Sequence, residues 1–555
     1  RSTFALKNVF MLQTTCHLPL SDVAQLSTFD RAYAGLEERL SPFYEHRPDQ
    51  WASYERATAA KAAAFTSAAR RRLSHALLAQ YDQLPSDTPH KLHTLTQIER
   101  LLDANCFSIC TAHQPCVATG ALYVVYKILA AVALTRQLNE RYADKYYVPI
   151  YWMGSDDHDF EEISQIGLFG KRLAWAGKGG GAVGRLAAAT DADLQAFADE
   201  YAAILGEKSA SAVEIAEYVR SAYSLYPTFG AATRYLLHRL FGQYGLVIVD
   251  GDDEQLKAAF LPVMEDDLFA HSSHRIVSAS CEQIERVGLR AQSYPRPINL
   301  FYLSERSRER IVRSDDGGHW QPLQGAQRWT AEQLGSLLLE EPKNFSPNVV
   351  LRPLYQEQTL PNIAYIGGGG EVAYWLERKA QFAHFATPFP VLVRRPSVLV
   401  VDAAQGERLA KLGISAADML QQPLEQIIKE YLHRTADIDL STEEAKERCM
   451  AELAAIATRT QVLDGGELAT FIATQQAALG QMFQKIQERV NRAAKRRQET
   501  ELQQIQRLHE RLLPNGSLQE RAENVGSFYA LYGRSFFDSL LAAFAEDMLG
   551  SHFIV

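Results

Sequence analysis

The sequence lacks long hydrophobic runs, a dense set of cysteines and an excess of positive charge. No stretch approaches the ~18 uninterrupted apolar residues of a membrane-spanning helix, and the first residues lack the apolar segment of a secretory signal. Six cysteines without disulfide or zinc-site spacing favour a reducing cytoplasm. The net charge of -9 argues against a general attraction to nucleic acid or an anionic membrane. We therefore expect a cytoplasmic protein whose partners include neither nucleic acid nor membrane.

The chain has the length and composition of a protein with several domains. Its 555 residues are 47% hydrophobic and 22% charged, enough for two or more domains of about 150 residues each. Alternating strand and helix patterns predict an α/β core over residues 1–402, with N-terminal helices and insertions at about 163–245 and 255–345. Helical patterns after residue 402 predict an arm over 403–513 and C-terminal helices over 514–555 that pack back on the core.

An acidic cluster follows one predicted strand of this core. The run Tyr-Tyr-Val-Pro-Ile-Tyr-Trp-Met at 146–153 has the β-branched and aromatic content of a strand, and six ionisable side chains follow it: Asp156, Asp157, His158, Asp159, Glu161 and Glu162. Ligands of open α/β sheets bind outside the carboxyl ends of strands. The cluster could bind a metal, act as general acid and base, or hold the ammonium and hydroxyl groups of a substrate; a solvated acidic loop is the alternative.

The geometry within this cluster is open at the level of sequence. In an extended segment, alternation would send Asp156 and His158 to one side and Asp157 and Asp159 to the other. Nothing in the spacing fixes a metal-ligand set, so we expect no metal.

A second loop is expected beside the acidic cluster. Residues 106–111 resemble a strand and 122–133 an amphipathic helix, so with the strand at 146–153 they form a βαβ unit with parallel strands and a right-handed crossover. Both strands then end at the same edge of the sheet. We therefore expect His113 and Gln114 to lie near Asp156, Asp157 and His158.

A glycine-rich loop at 367–370 precedes another predicted helix. Free backbone N–H groups at a helix start favour a carboxylate or phosphate. The alternative is a flexible turn whose glycines only allow the helix to pack closely. The loop is neither a dinucleotide fingerprint nor a P-loop. Arg352, Gln356 and Lys127 could clamp a carboxylate; each is otherwise a surface or ion-pair residue.

The predicted arm carries heptad spacing. Leu479, Phe483, Ile486, Val490 and Ala493 recur at intervals of four and three residues, the pattern of a coiled-coil seam. We predict an antiparallel coiled coil built from one chain or two. The basic residues between 485 and 511 fit the solvated face of such a coil better than a nucleic-acid arm, since no aromatic residues are interspersed.

Several of these segments together resemble one family. The chain carries Thr-Ala-His-Gln-Pro at 111–115, Asp-His-Asp-Phe-Glu-Glu at 157–162, Arg-Pro-Leu-Tyr-Gln-Glu at 352–357, four glycines at 367–370 and Pro-Asn-Gly-Ser-Leu-Gln-Glu-Arg at 514–521. In this order they resemble the bacillithiol biosynthesis family of cysteine ligases (BshC). The resemblance implies a Rossmann-like core with inserted connecting peptides and a coiled-coil arm through which the family forms homodimers. It also implies the last step of bacillithiol synthesis, in which L-cysteine is joined to the amine of glucosaminyl-malate.

For this reaction we assign hypothetical roles to residues of the site. Asp156 or Asp157 would hold the cysteine ammonium, His158 would deprotonate the attacking amine, and Arg352 with the glycine-loop amides would receive the malate or a phosphate. The expected substrate-binding residues are His113, Gln114, Thr119, Gly120, Tyr126, Lys127, Asp159, Arg352, Gln356, Gly368, Gly369, Glu371 and Trp375.

The activating cosubstrate and the activity class have alternatives. ATP is the candidate cosubstrate, although neither His-x-Gly-His nor Lys-Met-Ser-Lys-Ser, the signatures of class I aminoacyl-tRNA synthetases, occurs in the chain. The alternatives to a ligase are a dimeric scaffold with a nucleotide- or sugar-binding core, and a nucleotidyltransferase of related fold.

Overall fold

A computed structural model describes residues 12–315, 317–436, 440–464, 467–549 and 551–555. The chain forms two compact units. One comprises Arg1–Val400 together with Ser517–Val555, and the other Val401–Gly516. The predicted heptad seam lies in the second unit, and the predicted site residues all lie in the first.

The first unit begins with one strand and four helices. They are β1 (Cys16–Pro19), α1 (Thr28–Ala34), α2 (Trp51–Ala64), α3 (Ser67–Asp82) and α4 (Lys91–Arg100). Two of these helices start at a hydroxyl cap, in which the side-chain oxygen accepts a hydrogen bond from a backbone N–H of the first turn. Ser27 caps α1 in this way, and Thr66 caps α3.

The first strand–helix–strand unit follows. It consists of β2 (Cys106–His113), α5 (Leu122–Arg141) and β3 (Tyr146–Met153). The two strands pair in parallel along their whole length, from Cys106 opposite Tyr146 to His113 opposite Met153. The predicted βαβ unit is therefore confirmed, and both strands end at one edge of the sheet.

Further elements lie between this unit and the glycine loop. The next are α6 (Phe160–Ile163), β4 (Gln165–Leu168), β5 (Lys171–Ala174), α7 (Ala192–Leu205), α8 (Ala210–Leu225), α9 (Phe229–Phe241) and β6 (Val247–Asp250). They are followed by α10 (Glu254–Ala258), α11 (Leu261–Phe269), α12 (Ser272–Arg286), β7 (Leu300–Leu303), β8 (Arg308–Arg313), β9 (Trp320–Pro322), α13 (Ala331–Glu340) and β10 (Phe345–Pro347). Strands β10, β7, β8 and β9 form a separate antiparallel sheet in that order.

The second strand–helix unit contains the glycine loop. Its elements are α14 (Arg352–Thr359), β11 (Asn362–Gly367), α15 (Gly369–Leu376), α16 (Lys379–His384), β12 (Val391–Arg394) and β13 (Ser397–Leu399). Strand β11 pairs in parallel with both β2 and β12.

The central sheet has the order β12-β11-β2-β3-β6, and every pairing in it is parallel. Its strands are nearly continuous apolar runs buried on both faces, as parallel strands covered by helices are. The chain builds the sheet outward from β2 in one direction and then returns to add β11 on the other side. This reversal between β2 and β11 is the switch point at which ligands of such folds bind. The predicted α/β class with a parallel, Rossmann-like sheet is confirmed.

The second unit is helical. Its helices are α17 (Ala403–Leu412), α18 (Ala416–Gln421), α19 (Leu424–Thr435), α20 (Glu443–Asp464), α21 (Glu467–Arg497) and α22 (Glu499–Leu512). Side chains of α21 bond to α20 and to the segment just before it: Gln476 Nε2 donates to the Met450 carbonyl of α20, and Gln487 Nε2 donates to the Leu440 carbonyl ahead of α20. The two long helices therefore run antiparallel within one chain.

The chain ends by returning to the first unit. The last elements are α23 (Gln519–Ala522), α24 (Val525–Tyr532), α25 (Ser535–Glu546) and β14 (Ser551–Ile554). Strand β14 pairs with β1 and β13, so both ends of the described chain meet in one small sheet. None of the described helices combines the length and the apolar character needed to cross a bilayer.

Candidate functional site

A cavity of about 670 Å³ opens at the switch point of the central sheet. Its walls come from the carboxyl ends of β2, β3 and β11, from the inserted segments and from the C-terminal segment. Nine predicted site residues line it: His113, Gln114, Lys127, Asp156, Asp157, Arg352, Gly368, Gly369 and Glu371. The topology of the sheet therefore places three predicted segments at one cavity: the loop after β2, the acidic cluster and the glycine loop.

Asp156 stands on the acidic wall and is held from two sides. Ser346 Oγ donates a hydrogen bond of 2.6 Å to Asp156 Oδ2, and Lys257 Nζ lies 3.7 Å from the same oxygen. Lys257 is fully buried and also donates to Asp252 Oδ1 at 2.6 Å. Asp156 is therefore a fixed carboxylate with a cation behind it.

Asp157 is the second carboxylate of this wall. Arg308 Nη1 lies 3.3 Å from Asp157 Oδ1, which also accepts the His158 backbone N–H at 2.7 Å. Burial alone would raise the pKa of Asp157, but the hydrogen bonds from His158 and the charge of Arg308 lower it to about 2. The group is an anion throughout the neutral range.

His158 lies beside the cavity, outside its lining. Its ring is about half exposed and packs near Phe301, with 5.8 Å between ring centroids. Nδ1 is 3.0 Å from Arg308 Nη1. The same Nδ1 lies 3.3 Å from Asp157 Oδ1, so this ring nitrogen faces both a hydrogen-bond donor and a carboxylate.

The acidic loop is a turn, which explains why both aspartates face the cavity. The backbone N–H of Val183 donates to the Asp157 carbonyl at 2.6 Å, and that of Gly184 to the Ser155 carbonyl at 2.8 Å. Asp159 points away and caps α6 by accepting the Glu162 N–H at 3.1 Å. Among the described residues, no three His, Cys, Asp or Glu side chains converge in a way that could hold a metal ion.

The opposite wall contains the start of α15. Glu371 turns back on its own helix: its Oε2 accepts the Gly368 N–H at 2.9 Å and pairs with the buried Lys127, and its Oε1 accepts the Tyr365 hydroxyl at 2.8 Å. Burial would raise the pKa of Glu371, but Lys127 and the Gly368 amide lower it to about 2. Gly369 and Gly370, the next two residues of the helix start, line the cavity.

Three arginines surround this helix start. Arg352, Arg395 and Arg521 all line the cavity. Arg395 is 3% exposed and donates from Nη2 to Glu520 Oε1 at 2.6 Å. Its Nε is buried and has no hydrogen-bond partner among the described residues. This wall therefore presents cations and helix amides, in contrast to the acidic wall.

His113 lies between the two walls. Its Nε2 is 2.9 Å from the Tyr123 hydroxyl. Burial, and after it the charge of Lys127, lowers the pKa of His113 to about 3, so the imidazole is neutral at physiological pH. Gln114 is buried beside it and lines the cavity.

The remaining predicted substrate-binding residues lie behind the lining. Thr119 and Gly120 are buried in a loop with left-handed backbone, and the Asn524 side chain donates to the Gly120 carbonyl. Gln356 is buried under Arg352. Tyr126 packs edge-on against Phe544, and Trp375 stacks on Tyr365 at 4.3 Å.

Several lining residues were missed in the sequence. Arg308 lies in an insertion that shows no recognisable pattern, and Arg395 sits in an apolar run that reads as a strand. Arg521 had a signal, because it ends the segment 514–521 that carries the family resemblance. Its place at the site depends on the return of the C-terminal segment to the first unit, which local patterns do not reveal.

Comparison with known proteins gives matches along almost the whole chain. The model "Bacillithiol biosynthesis BshC, N-terminal Rossmann-like domain" matches residues 15–396, and "Bacillithiol biosynthesis BshC, C-terminal coiled-coil domain" matches residues 398–555. Relatives named "Putative cysteine ligase BshC" include one from Christiangramia forsetii, 34% identical over 531 residues that cover 94% of this chain and 95% of the relative. Another, from Flavobacterium johnsoniae, is 34% identical over 513 residues, covering 92% and 93%. A third, from Salinibacter ruber, is 32% identical over 525 residues, with the same coverage.

Proposed function

Because the chain belongs to the bacillithiol biosynthesis BshC family, we propose that it is a ligase that joins L-cysteine to the amine of glucosaminyl-malate. The observation that carries this proposal is the division of the cavity into an anionic and a cationic wall. Cysteine brings an ammonium group, and glucosaminyl-malate brings two carboxylates. One cavity with walls of opposite sign suits this pair of substrates.

The acidic wall is the proposed cysteine subsite. Asp156 and Asp157 offer two carboxylates toward a single ammonium, and a charge-assisted hydrogen bond of this kind is about twice as strong as a neutral one. The low pKa of Asp157 keeps that group charged whenever the cysteine ammonium is charged.

The cationic wall is the proposed malate subsite. Arg352 can bind a carboxylate with two parallel hydrogen bonds, while Gly369 and Gly370 supply amides at the positive end of a helix dipole. Arg395 Nε, a buried donor that no atom of the described residues accepts from, supports a ligand here, since a buried donor without a partner costs about 1–3 kcal/mol.

ATP is the proposed activating cosubstrate, because amide formation from a free carboxylate is unfavourable in water. The cysteine carboxylate would attack the α-phosphorus and release pyrophosphate, forming an acyl-adenylate. The glucosamine amine would then attack the acyl carbon, lose its proton and expel AMP. The test is whether AMP and pyrophosphate accumulate in equal amounts with the amide product.

His158 is the proposed general base for the amine. Its Nδ1 lies 3.3 Å from Asp157 Oδ1, and this carboxylate would stabilise the imidazolium formed when the ring takes the amine proton. We expect His158→Ala to lower kcat with little change in either KM. Unchanged product formation by this variant would remove the base assignment.

Two charge-neutralising variants test the division of the cavity. We expect Asp156→Asn to raise the KM for cysteine and leave that for glucosaminyl-malate unchanged, and Arg352→Gln to do the reverse. If each variant instead raised both KM values equally, the proposed division of the subsites would be wrong.

We also propose that the chain forms a homodimer through the arm. Large apolar side chains on the antiparallel pair α20 and α21 are exposed: Val462 is 88%, Phe471 58% and Met482 49% exposed. Exposed apolar surface of this kind is typical of an interaction site. We expect light scattering to give twice the chain mass, and Phe471→Ser to reduce it to that of a monomer. Leu225→Ser, at an exposed leucine of the first unit, is the control. A monomeric mass for the unaltered protein would refute the dimer.

A further inference from the structure

Arg352 is held by two side chains, Gln356 behind the cavity and Tyr374 in its lining. Its Nη1 donates to Gln356 Oε1, and its Nη2 donates to the Tyr374 hydroxyl, both at 2.9 Å. Gln356 lies one turn further along α14, at the i+4 position. The plane of the guanidinium group is therefore fixed by two oxygen atoms of the protein.

The amide of Gln356 has a definite orientation. Arg352 only donates, so the amide oxygen faces it. The amide nitrogen donates in turn to Glu357 Oε1 at 3.0 Å. Gln356 has no exposed surface, and both ends of its side chain are occupied by protein groups.

Glu357 is the anchor of this chain of hydrogen bonds. Its Oε1 also accepts from Asn362 Nδ2 at 2.7 Å, and its Oε2 lies 3.2 Å from Lys61 Nζ. Lys61 donates as well to the Glu357 carbonyl at 2.9 Å. Lys61 and Glu357 are 2% and 1% exposed. An ion pair loses more solvation energy when it is buried than when it lies at the surface. Stability of the fold is therefore a weak explanation for why this buried pair is present.

We propose that Lys61, Glu357 and Gln356 form a positioning relay that orients Arg352 for two-point binding of a substrate carboxylate. In this relay Gln356 touches Arg352 and never the substrate, which replaces its predicted role as a ligand. Bidentate binding depends on the direction of the guanidinium plane, and that direction is set by the amide oxygen of Gln356 together with the Tyr374 hydroxyl. The relay rests on the proposed function, in which Arg352 binds the malate part of glucosaminyl-malate.

An exchange of neighbouring residues tests the relay. Gln356→Glu places a second carboxylate against Glu357. Glu357→Gln places an amide N–H₂ group where it faces a donor, either the amide nitrogens of Gln356 and Asn362 or the ammonium of Lys61. In the double variant Q356E/E357Q, the new carboxylate accepts from Arg352 and from the neighbouring amide, whose oxygen faces Lys61. Asn362 turns its amide over and accepts the remaining N–H. The hydrogen bonds along the chain are restored, with Ser108 Oγ turning to accept from Asn362, but Lys61 now faces a neutral amide oxygen instead of a carboxylate.

We expect each single variant to raise the Kd and the KM for glucosaminyl-malate about 10- to 100-fold, the effect of one lost hydrogen bond to a charged group. The KM for cysteine should not change. The double variant should return to within about threefold of the unaltered protein, because coupled neighbours are non-additive. Gln358→Glu, the same change at a residue of α14 that bonds to Thr387, is the control and should bind normally.

The outcomes separate the relay from the proposed function. The thermal midpoint reports the hydrogen-bonded chain without any substrate. It should fall in both single variants and recover only in part in the double variant, because the buried Lys61 has lost its counter-ion. If the unaltered protein fails to bind glucosaminyl-malate, both the proposed function and the positioning role are wrong, whatever the thermal midpoint of the double variant shows. Two results would refute the relay and leave the proposed function intact, provided that the unaltered protein binds glucosaminyl-malate. In one, the double variant binds it as weakly as the single variants do; in the other, the single variants bind it normally.

Discussion

The two glycines at the start of α15 should respond in opposite ways to alanine. A Cβ added at Gly369 would overlap with the carboxylate of Asp30, whereas in the described part of the chain nothing lies within 4 Å of a Cβ at Gly370. Asp30 cannot move freely. It is 3% exposed and is gripped by Arg394, with Nε–Oδ1 and Nη2–Oδ2 both at 3.0 Å.

The magnitude follows from what Asp30 does. If it keeps Arg394 and the surroundings adjust, overpacking costs about 1–3 kcal/mol. If it is pushed away from Arg394, a buried ion pair is broken at about 3–5 kcal/mol. Gly370→Ala should instead stabilise the protein by ~0.5–1 kcal/mol, the helix preference of alanine over glycine. The free energies of unfolding of the two variants should therefore differ by at least ~1.5 kcal/mol.

Urea unfolding followed by tryptophan fluorescence measures this difference, since Trp375 lies in the same helix. A further variant identifies the cause. In an Asp30→Ala background the carboxylate is gone, so the added cost of Gly369→Ala should shrink. Equal stability of the Gly369→Ala and Gly370→Ala proteins would refute the overlap with Asp30 as the reason for glycine at this position.

Three other changes have defined outcomes. Asn524→Asp should lower the thermal midpoint and the binding of both substrates, because the new carboxylate replaces an amide that donates to carbonyl oxygens of the left-handed loop after β2. Lys257→Met removes the cation behind Asp156, so the KM for cysteine should change several-fold more than the KM for glucosaminyl-malate, as steady-state kinetics would show. The pKa of Asp157 is lowered to about 2 in part by Arg308, so the stability from this carboxylate is present above its ordinary pKa and is lost as the pH falls through about 2. In Arg308→Gln the pKa of Asp157 in the folded protein should rise, so the loss should be smaller and complete at a higher pH in acid-unfolding curves; coincident curves would contradict the assignment.

The sequence predicted the parts of the site that depend on regular strand and helix patterns. Parallel pairing of two consecutive strands follows from the βαβ pattern, and it places His113 near Asp156. The family and the fold class were also predicted correctly, since the segments that carry the resemblance are spread over the whole chain and occur in a fixed order.

The rest of the site depends on tertiary contacts that local patterns do not contain. Alternation of side chains failed after residue 154 because Val183 and Gly184 fold the acidic segment into a turn. Arg308 reaches Asp157 from an insertion some 150 residues away, a pairing that no spacing rule predicts. Predicted ligands such as Trp375 share a helix with lining residues but face the core.

The reaction proposed for this chain is the formation of an amide between cysteine and glucosaminyl-malate. The direct measurement is mass spectrometry of a reaction that contains the purified protein, L-cysteine, glucosaminyl-malate and ATP with Mg²⁺. We expect a product with the mass of bacillithiol, absent when any substrate is omitted and strongly reduced with Asp156→Asn at low cysteine. A well-folded protein that binds both substrates and yields no such product would contradict it.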